Sequence, residues 1–269
     1  MGSERNSGGR LAQIRLYPIK SLDPIPVAES AIGPGGGLQH DRVWALYSVD
    51  GKWVNAKRTT AIHMVRATYA PDIDSVTLSV ANDRRRIPTC TFPFPAANEE
   101  ASEWFSLFFE QKIIVRYDAR AFPDDSIANG PTVISTASLQ KVCEWFPQMT
   151  LEEARLRFRA SLEIDGVPPF WEDRLFSDNE RNVVRFRIGL VNFEGSNPCA
   201  RCPVPARNPH TGENIDGFQK RFNQLRSETL PPWSSRERFD HFYRLSTNTR
   251  VASTEDQKRL RLHDPIEML

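Results

Sequence analysis

The first hundred residues are a series of short runs in which apolar and polar residues alternate, each cut off by a turn signal. A chain punctuated this way is built from short β-strands. LAQIRLYPI at 11–19 alternates, and GPGGG at 33–37 is a turn. RVWALYSVD at 42–50 and KWVNAKR at 52–58 flank Asp50-Gly51, a strong hairpin signal because both residues tolerate the backbone of a tight turn. SVTLSV at 75–80 predicts another strand, with RRRIPT at 84–89 as the start of its partner. A small barrel or sandwich satisfies the pattern.

The period then changes. In ASEWFSLFFEQK, 101–112, Trp104, Phe105, Phe108 and Phe109 recur at helical spacing, with Ser102 and its acidic follower as the helix start. IIVRYD at 113–118 returns to strand, and the turn-rich AFPDDSIANGP, 121–131, marks a boundary between two halves. The expected organisation is a disordered lead over 1–10, a first half over 11–120 and a second over 121–269, mainly β with peripheral helices. In the second half TVIS at 132–135 leads into a helix with Leu139, Val142, Cys143, Trp145 and Phe146 on one side. Strands are expected at RFRASLEID (157–165) and VVRFRIGLVNFE (183–194), and a helix near 233–244 with Phe239, Phe242 and Tyr243. The run Arg84–Arg86 reads as a solvated turn.

The 35 Lys and Arg nearly cancel 34 Asp and Glu. No global field therefore favours nucleic acid or an acidic membrane, and any anion site has to be a local cluster. No apolar run approaches the roughly 18 residues that span a bilayer, and MGSERNSGGR lacks the apolar core of a secretory signal. A cytoplasmic location is the default. The four cysteines, Cys90, Cys143, Cys199 and Cys202, are too few for a disulfide scaffold of this size, or for both a metal ligand and a four-thiolate iron–sulfur cluster.

The segment that carries chemistry is NPCARCPVPARNPHTGE, 197–213. Its C-x-x-C pair has several readings. A zinc site wants four ligands, and beyond Cys199, Cys202 and His210 no fourth is apparent. A thioredoxin-type dithiol sits at a helix start, whereas Pro203 and Pro205 interrupt any helix here. Two structural cysteines near a turn is the plain alternative.

The surroundings of the pair, Pro198, Arg201, Pro203, Asn208, Pro209, Thr211 and Gly212, resemble the C-x-R-C…D-P-x-T-G signature of MOSC domains. These occur in the C-terminal regions of molybdenum-cofactor sulfurases and in amidoxime-reducing enzymes. Other elements are similar in the same order. LYPIKS at 16–21 resembles the opening of the β-barrel domain that precedes MOSC. Gly37-Leu38…Asp41-Arg42-x-Trp44, STASL at 135–139, RFRASLEIDG at 157–166, Trp171-Glu172-Asp173 and HDPIEML at 263–269 match further family elements. The chain departs from the family at Ala160-Ser161, which replace Pro-Asn, at Asn208, which replaces an acid, and at His263, which replaces a glycine.

The resemblance implies an N-terminal β-barrel domain over 11–120 and a MOSC β-barrel domain over 121–269, and a molybdenum cofactor, the metal carried by a pterin, with Cys202 as the protein thiolate on the metal; thiolates suit such soft sites. Lys20, Arg42 and Arg159 match positions that contact this cofactor, and arginine fits phosphate geometry. Ser21, Ser135, Thr136 and Ser161 add hydroxyl donors. Pyridoxal phosphate is a second cofactor expectation from the same resemblance. The implied reaction is reduction of N-hydroxylated compounds such as amidoximes and hydroxylamines by oxo transfer, with Asp173 and His210 as candidate general acids. No G-x-G-x-x-G stands at a strand–helix junction, so a ferredoxin, flavoprotein or cytochrome is expected to supply electrons. Two rival readings use the same residues: a non-catalytic carrier of molybdenum cofactor or sulfur, and a β-rich interaction module with structural cysteines.

Overall fold

The computed structural model describes residues 8–82, 85–123 and 128–269. Its first half runs β1 (Arg10–Leu16), β2 (Ile25–Val27), β3 (Glu29–Ala31), β4 (Trp44–Ser48), β5 (Trp53–Val54), β6 (Val65–Tyr69), β7 (Ser75–Val80), β8 (Cys90–Pro93), α1 (Asn98–Phe109) and β9 (Ile113–Tyr117). Its second half runs β10 (Val133–Ser135), α2 (Thr136–Trp145), α3 (Leu151–Phe158), β11 (Leu162–Asp165), β12 (Val184–Ile188), β13 (Val191–Ala200), α4 (Phe218–Glu228), β14 (Arg244–Arg250), β15 (Arg259–Arg261) and β16 (Ile266–Met268). Mostly β with helices outside the sheets, the protein has the expected class.

The strands form one large sheet and three small ones. In the large sheet the order is β16-β12-β13-β14-β10-β11-β1-β2. Its ends curl toward each other, because Arg10 also bridges Pro265, Leu11 N donates to Asp264 O at 2.9 Å and Ile266 N donates to Gly9 O at 3.0 Å. A single bridge rather than a ladder joins them, so among the described residues neither expected barrel is closed by continuous pairing. The small sheets are β5-β4-β9, β6-β7-β8 and β15-β3. Strands β1 and β2 from the first half thus belong to the sheet of the second, and β3 pairs with β15.

Local chemistry explains the elements. Gly51, at φ 76°, makes the turn between β4 and β5 that Asp50-Gly51 predicts. Helix α1 starts at Asn98, three residues before the expected start. Ser102 does not cap it: its Oγ donates to Asn98 O at 2.5 Å and accepts from Val115 N at 2.8 Å, which ties the helix to β9. Helix α2 begins where Ser135 Oγ accepts from Ser138 N at 3.1 Å, a side-chain cap on an orphan amide. Its face of Leu139, Val142 and Trp145 packs with Phe146, Phe218 and Phe222 into a second core beside the sheet. The Phe146 and Phe218 rings stack at 4.3 Å.

Several sequence expectations are corrected. RRRIPT does not begin a partner of β7 within the described residues; β7 pairs with β6 on one side and on the other with β8, which sets Cys90 opposite Leu78. Arg157 and Phe158 are not strand but the end of α3. Thr150 caps that helix by accepting from Glu153 N at 3.1 Å, and Arg157 pairs with Glu153 one turn back at 2.5 Å. The run 183–194 is two strands, β12 and β13, because Gly189 at φ 56° turns the chain between Ile188 and Val191. The helix near 233–244 is absent. Pro231 and Pro232 lack the amides a helix needs, and only the short 3-10 turn Arg236–Arg238 forms before β14. Helix α4 ends before that run, at Glu228, and in it Phe218 and Phe222 repeat at helical spacing. Arg10 is already strand, so the expected lead is shorter than 1–10; residues 1–7 lie outside the described residues, as does Arg84.

The sheet leaves little room where β13 crosses Leu175. A Cβ on Gly195 would stand 1.6 Å from Leu175 O, a backbone atom that cannot swing aside. Gly195→Ala should therefore lower unfolding free energy by at least about 2 kcal/mol, read by urea denaturation. An unchanged midpoint would show that the β13 backbone is placed differently.

Candidate functional site

The residues after β1 and β3, the end of α3 and the end of β13 enclose a cavity of about 500 Å³. Lys20, Arg42, Lys57, Arg157, Arg159 and Arg201 line it, against one carboxylate among the described lining residues, Asp41. A chain with almost no net charge has gathered six of its 35 Lys and Arg at one concave surface. Desolvated like charges repel, so such a wall favours an anionic ligand that neutralises them.

Three of these positions are held in left-handed backbone: Ser21 at φ 77°, Arg42 at φ 54° and Arg159 at φ 52°. Each costs about 1–2 kcal/mol for a residue with a Cβ, so surrounding bonds must fix it. Ser21 Oγ accepts from Ala56 N at 3.1 Å. Arg42 N donates to Tyr17 O at 2.9 Å, and Arg159 N closes the last turn of α3 on Arg155 O at 2.8 Å. Strain held this way aims side chains at functional sites.

The cations are individually anchored. Lys20 Nζ donates to Phe122 O at 2.8 Å and stands 4.5 Å over the Trp53 ring. Arg42 pairs with the Asp41 carboxylate and reaches Ser161 Oγ at 3.3 Å. Asp41 in turn accepts from Tyr17 N at 2.7 Å. Arg159 donates to Leu22 O at 2.8 Å; burial draws its pKa down, and the Arg42 charge adds to that. Arg201 donates to Phe158 O and, at 3.2 Å, to Cys199 Sγ.

Of the residues that the sequence analysis assigned to a cofactor, Lys20, Ser21, Arg42 and Arg159 meet on this wall. Ser161 stands behind it, buried, donating to Asp41 Oδ2 at 3.2 Å. Ser135 and Thr136 do not reach it. Ser135 caps α2, and Thr136 Oγ1 donates to Glu163 Oε1 at 2.7 Å. The cysteines divide unexpectedly: Cys199 lines the cavity, whereas half-buried Cys202 packs against the apolar core between the lining residues Arg201 and Val204.

The candidate acids lie elsewhere. Asp173 is buried, bonded to Arg226 and Ser234 Oγ. Exposed His210 sits with Nδ1 2.9 Å from Arg66. Neither lines the cavity. Asp41, Arg201 and Cys199 could have been found in the matched D-R and C-x-R-C elements; Arg157 carried no such signal, because its helix was read as a strand. Glu172, beside Asp173, is pushed up to about 7 by burial and then by the neighbouring carboxylate. No group of three or more His, Cys, Asp or Glu among the described residues could cage a metal by itself. No helix among them is long and apolar enough to cross a membrane.

The chain matches the MOSC N-terminal beta barrel domain over residues 8–112 and the MOSC domain over 131–263. It belongs to the MOSC-domain family, joined to that family's N-terminal barrel. Among curated relatives, mitochondrial amidoxime reducing component 2 of Homo sapiens is 25% identical, over 96% of this chain and 83% of that protein. Mitochondrial amidoxime-reducing component 1 of Xenopus laevis is 22% identical, over 87% and 77%. Molybdenum cofactor sulfurase of Drosophila persimilis is 26% identical over 81% of this chain, which spans only 31% of that protein.

The cations of the wall suit a phosphate such as a molybdenum-bearing pterin carries. A thiolate suits the soft metal of such a group; the thiol in the lining is that of Cys199, and Cys202 follows it next to Arg201. A smaller pocket of about 20 Å³, behind Ser21 and Arg159, is lined by His63 and Arg66. Burial holds the His63 imidazole down at about 4, and the charges of Arg159, Arg207 and Arg66 add to the shift. A histidine depressed below its ordinary value contributes stability that is complete above about pH 6.5 and is lost as pH falls toward 4. Discounted for solvent screening, the loss between pH 7 and 5 is about 1 kcal/mol. His63→Leu should remove that loss, so that the variant's denaturation midpoint changes less than the parent's over this range; parallel curves would exclude His63 as the source.

Proposed function

We propose that this protein binds a pterin molybdenum cofactor and uses it to reduce N-hydroxylated compounds such as amidoximes and hydroxylamines. The observation that carries the reading is the convergence of Lys20, Ser21, Arg42 and Arg159, from three separated segments, on one cationic cavity with a thiol in its wall. Likeness to amidoxime-reducing components over most of their length supports the reaction class. When bound, the cofactor supplies two-electron oxo-transfer chemistry, and the protein sets its ligand, electrostatics and access.

The chain's own residues take defined parts. Lys20, Arg42 and Arg159 neutralise the phosphate, with Ser21 adding a hydroxyl beside them. Asp41, within the wall, and Ser161, behind it, hold Arg42 in place. Cys202 offers the metal its thiolate by its position in C-x-R-C, and Cys199 lies on the wall beside Arg201. Electrons come from a separate ferredoxin, flavoprotein or cytochrome.

One observation favours a second reading. Cys199 rather than Cys202 faces the cations, and a thiol placed there suits a carrier that hands on cofactor or sulfur.

Elemental analysis, pterin fluorescence after oxidation and an aromatic amidoxime assay with artificial reductant separate the readings. The reductase predicts bound molybdenum and turnover, both lost in Cys202→Ser, with metal retained in Cys199→Ser. Arg42→Gln and Arg159→Gln should each weaken cofactor retention about tenfold, since each removes a charge-assisted bond. Bound metal without turnover selects the carrier. Absence of both metal and pterin from protein made in cofactor-producing cells rules out both readings.

A further inference from the structure

We propose that the ring of Tyr17 is a positioning residue of the anion site, holding Arg159 and Arg42 side by side in the cavity wall. This rests on the cationic reading of that wall given above.

Tyr17 follows β1 and is fully buried. Arg159 stands 4.0 Å from the centre of its ring and Arg42 stands 5.4 Å from it. The aromatic face carries partial negative charge and attracts both guanidinium ions. Its backbone supports Arg42 as well: Tyr17 N donates to the Asp41 carboxylate that pairs with Arg42, and Tyr17 O accepts from Arg42 N at 2.9 Å. The phenol hydroxyl, by contrast, is buried with no hydrogen-bond partner among the described residues. A buried hydroxyl left unsatisfied is a cost, so the useful part of the side chain is its π face.

Arg159 needs such a support more than Arg42 does. Arg42 has the Asp41 carboxylate, whereas Arg159 makes no ion pair among the described residues and is tied by the Leu22 carbonyl and the Tyr17 ring. Two guanidinium ions brought together away from water repel, and a long flexible side chain relieves repulsion by turning away. The ring opposes that motion in the absence of ligand, which leaves the pair preorganised for a phosphate.

The test uses inorganic pyrophosphate as the probe and calorimetric titration of the whole chain. Tyr17→Phe keeps the ring and should bind within about twofold of the parent, since the hydroxyl has no partner. Pentafluorophenylalanine at position 17 keeps the shape but removes the negative face, and should weaken binding about tenfold. Tyr17→Leu should do at least as much. Thermal melting confirms which proteins are folded, and the fluorinated ring, close to isosteric, guards against loss of Tyr17→Leu to misfolding. In an Arg159→Gln background the fluorinated ring should cost less than threefold. Unchanged binding by the fluorinated protein, while Arg159→Gln binds weakly, overturns the role of Tyr17 alone. Failure of the parent to bind pyrophosphate overturns the cationic reading and this proposal together.

Discussion

Repulsion between like charges governs the centre of this molecule. Six cationic side chains share one concavity, where Asp41 pairs with Arg42 and, from outside the lining, Glu153 pairs with Arg157. The fold restrains them with bonds to its own groups: Asp41 to Arg42, the Phe122 carbonyl to Lys20, the Leu22 carbonyl to Arg159, the Phe158 carbonyl to Arg201. Hydrogen bonds to charged groups are worth about 1.5–3 kcal/mol each, enough to hold the left-handed backbone at Ser21, Arg42 and Arg159. The large sheet supplies the rigidity those bonds need, because β1 and β13 both end at the cavity rim.

The two halves of the chain contribute to the site almost equally. Lys20, Ser21 and Arg42 come from loops around β1 to β4, and Arg159, Cys199 and Arg201 from the ends of α3 and β13. Neither set alone forms a closed cationic wall. The MOSC domain and its N-terminal barrel therefore define the site jointly.

Much of this could be read from residue order. The β4–β5 hairpin was announced by Asp50-Gly51, α2 by Ser135 and its apolar spacing, and the cationic wall by LYPIKS and the D-R element. What escaped had physical reasons. Phe158 and Arg157 look like strand because Arg and Phe alternate, while the helix is set by the Thr150 cap and the Glu153–Arg157 pair. The turn at Gly189 is hidden because Leu190, apolar yet exposed, continues the hydrophobic run. Aromatic residues at 239, 242 and 243 mimic a helical face, but Phe239 and Phe242 stack on each other while Tyr243 packs against Phe222. Which of two cysteines lines a cavity depends on how β13 ends, and a spacing of C-x-x-C does not encode that.

The bridge between Arg10 and Pro265 fastens the start of the large sheet to its far edge. Because β1 lies between β11 and β2, the chain cannot be divided at 121–131 into two self-sufficient proteins. A fragment of the second half alone would bare the hydrogen-bonding edge of β11, and exposed edges invite association with other chains. Expression of residues 132–269 of this chain alone would, on this architecture, yield a self-associating product.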